Sequence, residues 1–301
     1  MKYAPIHGVI VPMLTPLTAD DRLDRAATGA LIDFLLARGV AGLFPLGTTG
    51  EGPLLTNAER MQFASWVVEQ AAGRVPVIIH TGTITTSETI ALTRHALQIG
   101  ADAVAIVPPY FYKLDDTALY AHFAAVAEAV PDMPIYLYNN PGVTPNVLTT
   151  ELVIQLASDF ENIVGLKDSS GSLATLFAAR GLKGGQFNTA SGPDGLIMAG
   201  QAIGLDACVA GNANFVPELV VGIYDAVRRD DLAAARALQA QLDEVRRLAG
   251  DGRSLSMFKG LCARRGVPIG DVRAPLRRES AEAVDVCWQA LQALSVLPVS
   301  S

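Results

Sequence analysis

"AGLFPLGTTGEGPLLTNAERMQFASWVVEQAAGRVPVIIH", residues 41–80, contains one complete unit of the fold. It opens with a short apolar run, AGLFPL (41–46), turns through GTTGEG (47–52), and continues into AERMQFASWVVEQAA (58–72), where apolar residues recur at helical spacing. Thr56 with Glu59 three residues on predicts a capping box, in which each side chain satisfies a backbone N–H that the first turn leaves unpaired. A second β-rich run, VPVIIH (75–80), closes the unit. Strand, helix and strand in that order imply parallel strands, because parallel neighbours need a crossover.

The unit repeats. β-rich segments fall at HGVIVPML (7–14), AGLFPL (41–46), VPVIIH (75–80), AVAIV (103–107), IYLY (135–138), IVGLK (163–167), FNTAS (187–191) and DACVA (206–210), with helical stretches such as LIDFLLARG (31–39) between them. Glycines in RGVAG, IGADA and IGLDA stand where a C-cap would stop a helix just before a strand. Eight strand candidates alternating with helices over residues 7–229 predict an α/β fold, a closed (β/α)8 TIM barrel. The remainder reads as helices only: DLAAARALQAQLDEVRRLAG, SLSMFKGLCARRG and SAEAVDVCWQALQAL. The expected organisation is therefore a catalytic barrel over 1–230 and a C-terminal helical extension over 231–301. An open doubly wound sheet is the alternative, disfavoured because no G-x-G-x-x-G turn follows the first strand.

Composition narrows the partners. With 23 Lys and Arg against 30 Asp and Glu, the net charge of −7 argues against nucleic acid or an anionic membrane, both of which reward concentrated positive charge. Cys208, Cys262 and Cys287 fit neither a disulfide framework nor a Cys-x-x-Cys spacing, so a reducing compartment is expected. The N-terminal stretch does not read as a signal or transit peptide, and no apolar run approaches the ~20 residues needed to span a bilayer. A cytoplasmic enzyme acting on a small molecule is the expectation. The four histidines show no metal spacing, and neither metal nor cofactor is expected.

In such a barrel, chemistry gathers at the C-terminal strand ends. GTTGEG follows the second strand, PPYFYK (108–113) the fourth, and NNPGVT the fifth, which itself ends in Tyr138. The sixth strand ends in Lys167, the only one of five lysines to close an apolar strand. Desolvation there would lower its pKa and leave a neutral amine able to attack a ketone; the competing reading is a lysine reaching out to solvent. Tyr138, one strand over, either shuttles a proton beside that amine or packs with a wet tip. GTTGEG offers backbone N–H groups and the hydroxyls of Thr48 and Thr49 to a carboxylate or phosphate, and Glu51 reads as a hydrogen-bond partner within the loop. His80 ends the third strand, where it either faces the cavity or, as expected, is a satisfied structural histidine.

Together, GLFPLGTTGEGPLLTNAER, YLYNNPG, IVGLKDSSGS and GLDACVAGNANFVPEL resemble the dihydrodipicolinate synthase / N-acetylneuraminate lyase family, in matching order over about residues 5–295. The resemblance implies a (β/α)8 barrel with a helical extension, usually a homotetramer, that joins or splits pyruvate and a second carbonyl compound through a lysine Schiff base. It implies Lys167 as the Schiff-base lysine, Tyr138 as the proton shuttle, and Thr48 and Thr49 as the carboxylate-binding pair. Ser169, Gly192 and Asp194 match positions that contact the rest of the substrate in sialic acid lyases, and Val209 and Asn212 match the pyruvate pocket.

Two departures bear on the substrate. Synthases carry an arginine for the carboxylate of aspartate semialdehyde, where this chain has Val143 and no basic residue over residues 139–150. A charge-assisted hydrogen bond of that kind contributes roughly 1.5–3 kcal/mol. The synthases' intersubunit tyrosine falls on Phe111, flanked by Tyr110 and Tyr112 as stand-ins. The segment GLDACVAGNANFVPELVVGIYDAV is most similar to 2-keto-3-deoxy-sugar-acid aldolases, with Ser169, Ser191, Asp194 and Asn212 offered to a hydroxylated aldehyde and Gly195, where sialic acid lyases carry a glutamate, fitting a shorter substrate. The expected reaction is reversible cleavage of a 2-keto-3-deoxy sugar acid, such as 2-keto-3-deoxygluconate, to pyruvate and a short aldehyde, in a homotetramer or homodimer. The alternatives are a 4-hydroxy-tetrahydrodipicolinate synthase that recruits another arginine, a dehydratase on the same scaffold, and a non-catalytic sugar-acid sensor.

Overall fold

A computed structural model describes residues 4–294. Strands β1 (Gly8–Val11), β2 (Gly42–Leu43), β3 (Ile78–His80), β4 (Ala103–Ile106), β5 (Ile135–Asn139), β6 (Ile163–Asp168), β7 (Asn188–Ser191) and β8 (Ala207–Val209) pair in parallel in the order β2-β1-β8-β7-β6-β5-β4-β3. The two ends of that order meet through a parallel bridge between Leu43 and Val77, where the Leu43 N–H donates to the Pro76 carbonyl at 3.0 Å. The sheet closes on itself, giving the expected (β/α)8 barrel.

The helices of the outer ring are α1 (Arg25–Leu36), α2 (Asn57–Ala71), α3 (Thr86–Gln98), α4 (Asp116–Ala129), α5 (Thr150–Asp159), α6 (Ala174–Ala179), α7 (Ile197–Ala202) and α8 (Pro217–Arg228). α2 begins with the expected capping box of Thr56 and Glu59. Gly39, Gly100 and Gly204 end helices in the left-handed region, at φ 78°, 77° and 83°. The strands are shorter than the apolar runs that announced them. Pro12 directly follows β1 and Pro45 lies just beyond β2, and proline has no N–H to give to a ladder.

Two apolar layers follow from the alternation of side chains along each strand. Ile10, Phe44, Ile78, Ala105, Tyr136, Tyr138, Ala190 and Val209 fill the barrel interior. A larger cluster lies between the strands and the helices around them. Helices α9 (Leu232–Leu248), α10 (Leu255–Arg264) and α11 (Ala281–Ala293) follow the barrel and contribute Leu242, Val245, Phe258, Leu261 and Leu291 to that same outer layer. The ends of the two expected segments, residues 1–3 and 295–301, lie outside the described residues. No helix among the described residues is long and apolar enough to cross a membrane.

Candidate active site

Tyr138 and Lys167 are register partners on β5 and β6. A bulge between Ile135 and Tyr136 sets that register, and Gly165 makes room for it. A Cβ at residue 165 would lie 2.6 Å from the Tyr136 ring and 2.7 Å from the Asn188 carbonyl oxygen. The Tyr136 hydroxyl in turn donates to Asn188 across the barrel interior. The apolar approach to the lysine is thus a packing requirement as well as a strand.

Lys167 is 5% exposed, and its Nζ lies 4.0 Å from the centroid of the Tyr138 ring and 4.2 Å from that of Phe44. Burial pushes its pKa down; the charges of Tyr138 and Asp194 oppose the shift without cancelling it. The snorkelling reading is excluded by this burial. For Tyr138, burial by itself raises the phenol, but the charge of Lys167 and hydrogen bonds involving Thr48, Asn140 and Lys167 bring it below its ordinary value. Its hydroxyl accepts from Asn140 Nδ2 at 2.8 Å and lies 3.4 Å from Thr48 Oγ1. Asn139 turns the other way, donating to Asp168 Oδ2 at 2.9 Å and accepting from the Leu148 N–H at 3.1 Å. The two asparagines after Tyr138 therefore divide the work: one reaches the phenol and the other ties the loops.

Thr48 is exposed and Thr49 half-buried at the mouth, on a loop held from beneath. Glu51 adopts a left-handed conformation at φ 55°. One of its carboxylate oxygens lies 2.7 Å from Lys259 Nζ, and the other accepts from the Arg273 N–H at 2.8 Å. Lys259 is wholly buried and also donates to the Asp271 carbonyl at 2.7 Å. The Arg273 guanidinium binds both oxygens of Glu59 at 2.8 and 3.0 Å and the Leu54 carbonyl at 3.2 Å. Glu51 is the loop partner expected of it. No local spacing announces Lys259 or Arg273, because a long-range ion pair joins distant segments. The one signal was a lysine in the apolar stretch SMFKGLC.

The loops after β6, β7 and β8 bring the remaining candidates together. Gly192 donates its N–H to the Asp168 carbonyl at 2.7 Å, and a Cβ there would collide with the Ser169 side chain. Both carboxylate oxygens of Asp194 are already engaged: one accepts from the Gly211 N–H at 3.0 Å, the other from the Asn212 N–H at 2.8 Å and its Nδ2 at 2.6 Å. Asp194 thereby fixes the 3-10 turn Gly211–Asn214, which presents Asn212, while Val209 lines the interior. Burial raises the Asp194 carboxyl, against the pull of those hydrogen bonds and of Arg246. Ser191 requires a correction. Ala190 faces inward, so Ser191 faces outward toward α7, its Oγ 3.2 Å from where a Cβ on Gly200 would stand. The space opposite Gly195 is taken by the Arg246 guanidinium, itself paired with Asp243 at 2.9 Å and Asp251 at 3.3 Å.

On the β3–β4 side, Tyr110 is half-buried against the inner layer, and burial raises its phenol. Phe111, at φ 90°, is 80% exposed, with Tyr112 against it at 5.2 Å between ring centroids. His80 departs from expectation. Its ring lies inside the barrel, edge-on to Tyr138 at 5.8 Å and 6.4 Å from Phe44, yet neither ring nitrogen has a hydrogen-bond partner. The Leu46 backbone comes near enough to favour the charged imidazole, against burial, but falls short of a hydrogen bond to either nitrogen.

Known proteins share this fold and much of this sequence. The profile of the dihydrodipicolinate synthetase family matches residues 5–294. The probable 2-dehydro-3-deoxy-D-pentonate aldolase YjhH of Escherichia coli (strain K12) is 36% identical, over 97% of this chain and 98% of its own. The 4-hydroxy-tetrahydrodipicolinate synthase of Chelativorans sp. (strain BNC1) is 39% identical, over 78% and 80%. The crystal structure of YagE from E. coli K12, a prophage protein of the dihydrodipicolinic acid synthase family in complex with pyruvate, superposes with a TM-score of 0.90 at 33% identity, covering 97% and 99%. With this barrel, these strand-end residues and likeness over nearly its whole length, the chain belongs to the dihydrodipicolinate synthetase family and is a lyase of the aldolase kind.

Proposed function

We propose that this lyase reversibly cleaves a 2-keto-3-deoxy sugar acid to pyruvate and a short aldehyde through a Schiff base on Lys167. The observation that carries the reading is the dry Lys167 amine lying 4.0 Å from the Tyr138 ring. The neutral amine attacks the C2 ketone, whose oxygen departs as water, and an iminium results. Thr48 and Thr49 hold the C1 carboxylate with hydroxyl and backbone N–H groups. The Tyr138 phenolate takes the proton of the C4 hydroxyl, and the C3–C4 electron pair moves to the iminium nitrogen. The aldehyde leaves, and protonation of the enamine at C3 followed by hydrolysis frees pyruvate.

Residues 139–150 carry no basic side chain for a second carboxylate. Arg246, whose guanidinium lies against Gly195 in this loop cluster, is occupied by Asp243 and Asp251. Both points support a short hydroxylated aldehyde over aspartate semialdehyde. The likeness to a 4-hydroxy-tetrahydrodipicolinate synthase keeps that reaction as the second reading.

A panel of 2-keto-3-deoxy acids assayed for pyruvate release tests the proposal, with aspartate semialdehyde plus pyruvate run alongside. Turnover of the semialdehyde alone overturns the substrate assignment. Borohydride treatment with pyruvate should leave a mass adduct on Lys167, and an intact lysine would favour a non-catalytic sensor. The reading carries with it a cytoplasmic setting and a homotetramer or homodimer, which sedimentation checks.

A further inference from the structure

Among the inward-facing groups around Lys167, His80 has no role in the mechanism above. It stands at the last position of β3, where Arg60 Nη2 donates to the His80 and Gly82 carbonyls at 3.0 and 3.1 Å and fixes the strand end. Its ring shares two neighbours with the Lys167 amine, Phe44 and Tyr138. Burial, reinforced by the charges of Arg60 and Lys167, keeps the imidazole neutral. A neutral imidazole holds one N–H donor and one lone-pair acceptor, and both are buried here without a partner. Leaving such a group unsatisfied costs about 1–3 kcal/mol, so a side chain serving only to pack would more suitably be apolar.

Imine formation releases a molecule into this apolar interior that needs both a donor and an acceptor. When the Lys167 carbinolamine collapses, its C2–O bond breaks. The departing hydroxyl takes the Tyr138 phenol proton and leaves as water, while the nitrogen lone pair forms the C=N bond, giving an iminium beside a phenolate. Hydrolysis of the imine needs a water at the same place. Tyr138's hydroxyl is bound by Asn140, and Asn212 Nδ2 by Asp194, whereas His80 has both functions free.

We propose that His80 binds water at this place, receiving the molecule released as the imine forms and, after exchange with solvent, positioning a water for hydrolysis. The inference rests on the Schiff-base reading and assigns His80 no part in breaking the carbon–carbon bond. The role requires a side chain with both a donor and an acceptor, so His80→Gln preserves it and His80→Phe removes it.

The test is pyruvate alone in water enriched in deuterium and oxygen-18. Oxygen exchange at the keto carbon reports the water step, and deuterium exchange at the methyl group reports the enamine formed after it. In His80→Phe the imine should persist longer, so methyl exchange per oxygen exchange should rise about tenfold, the size expected from one lost hydrogen bond. His80→Gln should return the ratio to near the wild-type value. With the enzyme-free oxygen exchange of pyruvate through its hydrate subtracted, the ratio is internal to each sample, so a smaller folded fraction does not change it. An unchanged ratio in His80→Phe, with wild-type exchange intact, overturns the role of His80 and leaves the Schiff base standing. Absence of both exchanges and of the borohydride adduct in the wild type would overturn both readings.

Discussion

Lys167 and Tyr138 face each other across one rung of a parallel ladder, with the lysine amine 4.0 Å from the centroid of the phenol ring. The aromatic faces of Tyr138 and Phe44 tolerate either protonation state of the amine, and burial tilts it toward the neutral one. Lys167→Ala should abolish both the pyruvate adduct and turnover. Tyr138→Phe should still form an adduct, more slowly because the phenol protonates the departing hydroxyl, and should lose about 10²–10⁴-fold in kcat for the cleavage step. Mass spectrometry of the trapped protein and steady-state rates separate the two effects. Equal loss of adduct in both variants would place the phenol in imine formation alone.

The pH dependence follows from the same pair. Only the neutral amine is a nucleophile, and its pKa lies below the ordinary lysine value of 10.5. Imine formation should therefore rise with pH and level off before that value is reached. Stopped-flow trapping with pyruvate across pH 6–10 measures it. A rate still climbing about tenfold per pH unit up to pH 10 would contradict the burial argument.

Acid should weaken the fold through His122. Burial holds its imidazole at about 4, against 6.5 when exposed, and Thr86 Oγ1 lies 2.9 Å from its Nδ1. The unfolded chain takes up this proton first, so stability falls as pH drops through the window from 6.5 to 4 and is unaffected above it. The difference corresponds to about 3 kcal/mol. Urea unfolding of the wild type and His122→Phe at pH 7 and pH 4.5 should show a distinctly smaller acid loss in the variant.

The buried pair of Glu51 and Lys259 couples the extension to the Thr48–Thr49 loop. Lys259→Met strands a carboxylate in the interior and should destabilise the protein by about 3–5 kcal/mol. Glu51→Gln combined with Lys259→Met should recover much of that loss. If the pair also sets the loop, the double variant should keep a raised KM for the keto acid with little change in kcat. Thermal unfolding and saturation curves read the two effects separately.

Gly165→Ala is expected to cost about 1–3 kcal/mol, since the new methyl would meet the Tyr136 ring at 2.6 Å and a backbone carbonyl at 2.7 Å. It should also slow adduct formation, because Lys167 lies two residues further along the same strand. Denaturant titration and the trapping assay check both.

Local chemistry was enough to read much of this protein from its residues. Alternating apolar runs and helical periods, the Thr56–Glu59 box and the glycine C-caps depend on neighbours within a few positions, and these carried the barrel, its order and the strand-end placement of Tyr138 and Lys167. Contacts between distant segments have no such signature. The Glu51–Lys259 pair joins residues 208 positions apart (259 less 51), and the Arg246 guanidinium over Gly195 likewise comes from another element. The outward turn of Ser191 follows from a strand register that only the closed sheet establishes. The sequence alone therefore determined which groups stand at the mouth of the barrel. Tertiary structure decided which of them are dry, which are already bonded, and which, like His80, are left free, because desolvation and hydrogen-bond partnership depend on everything packed around a group.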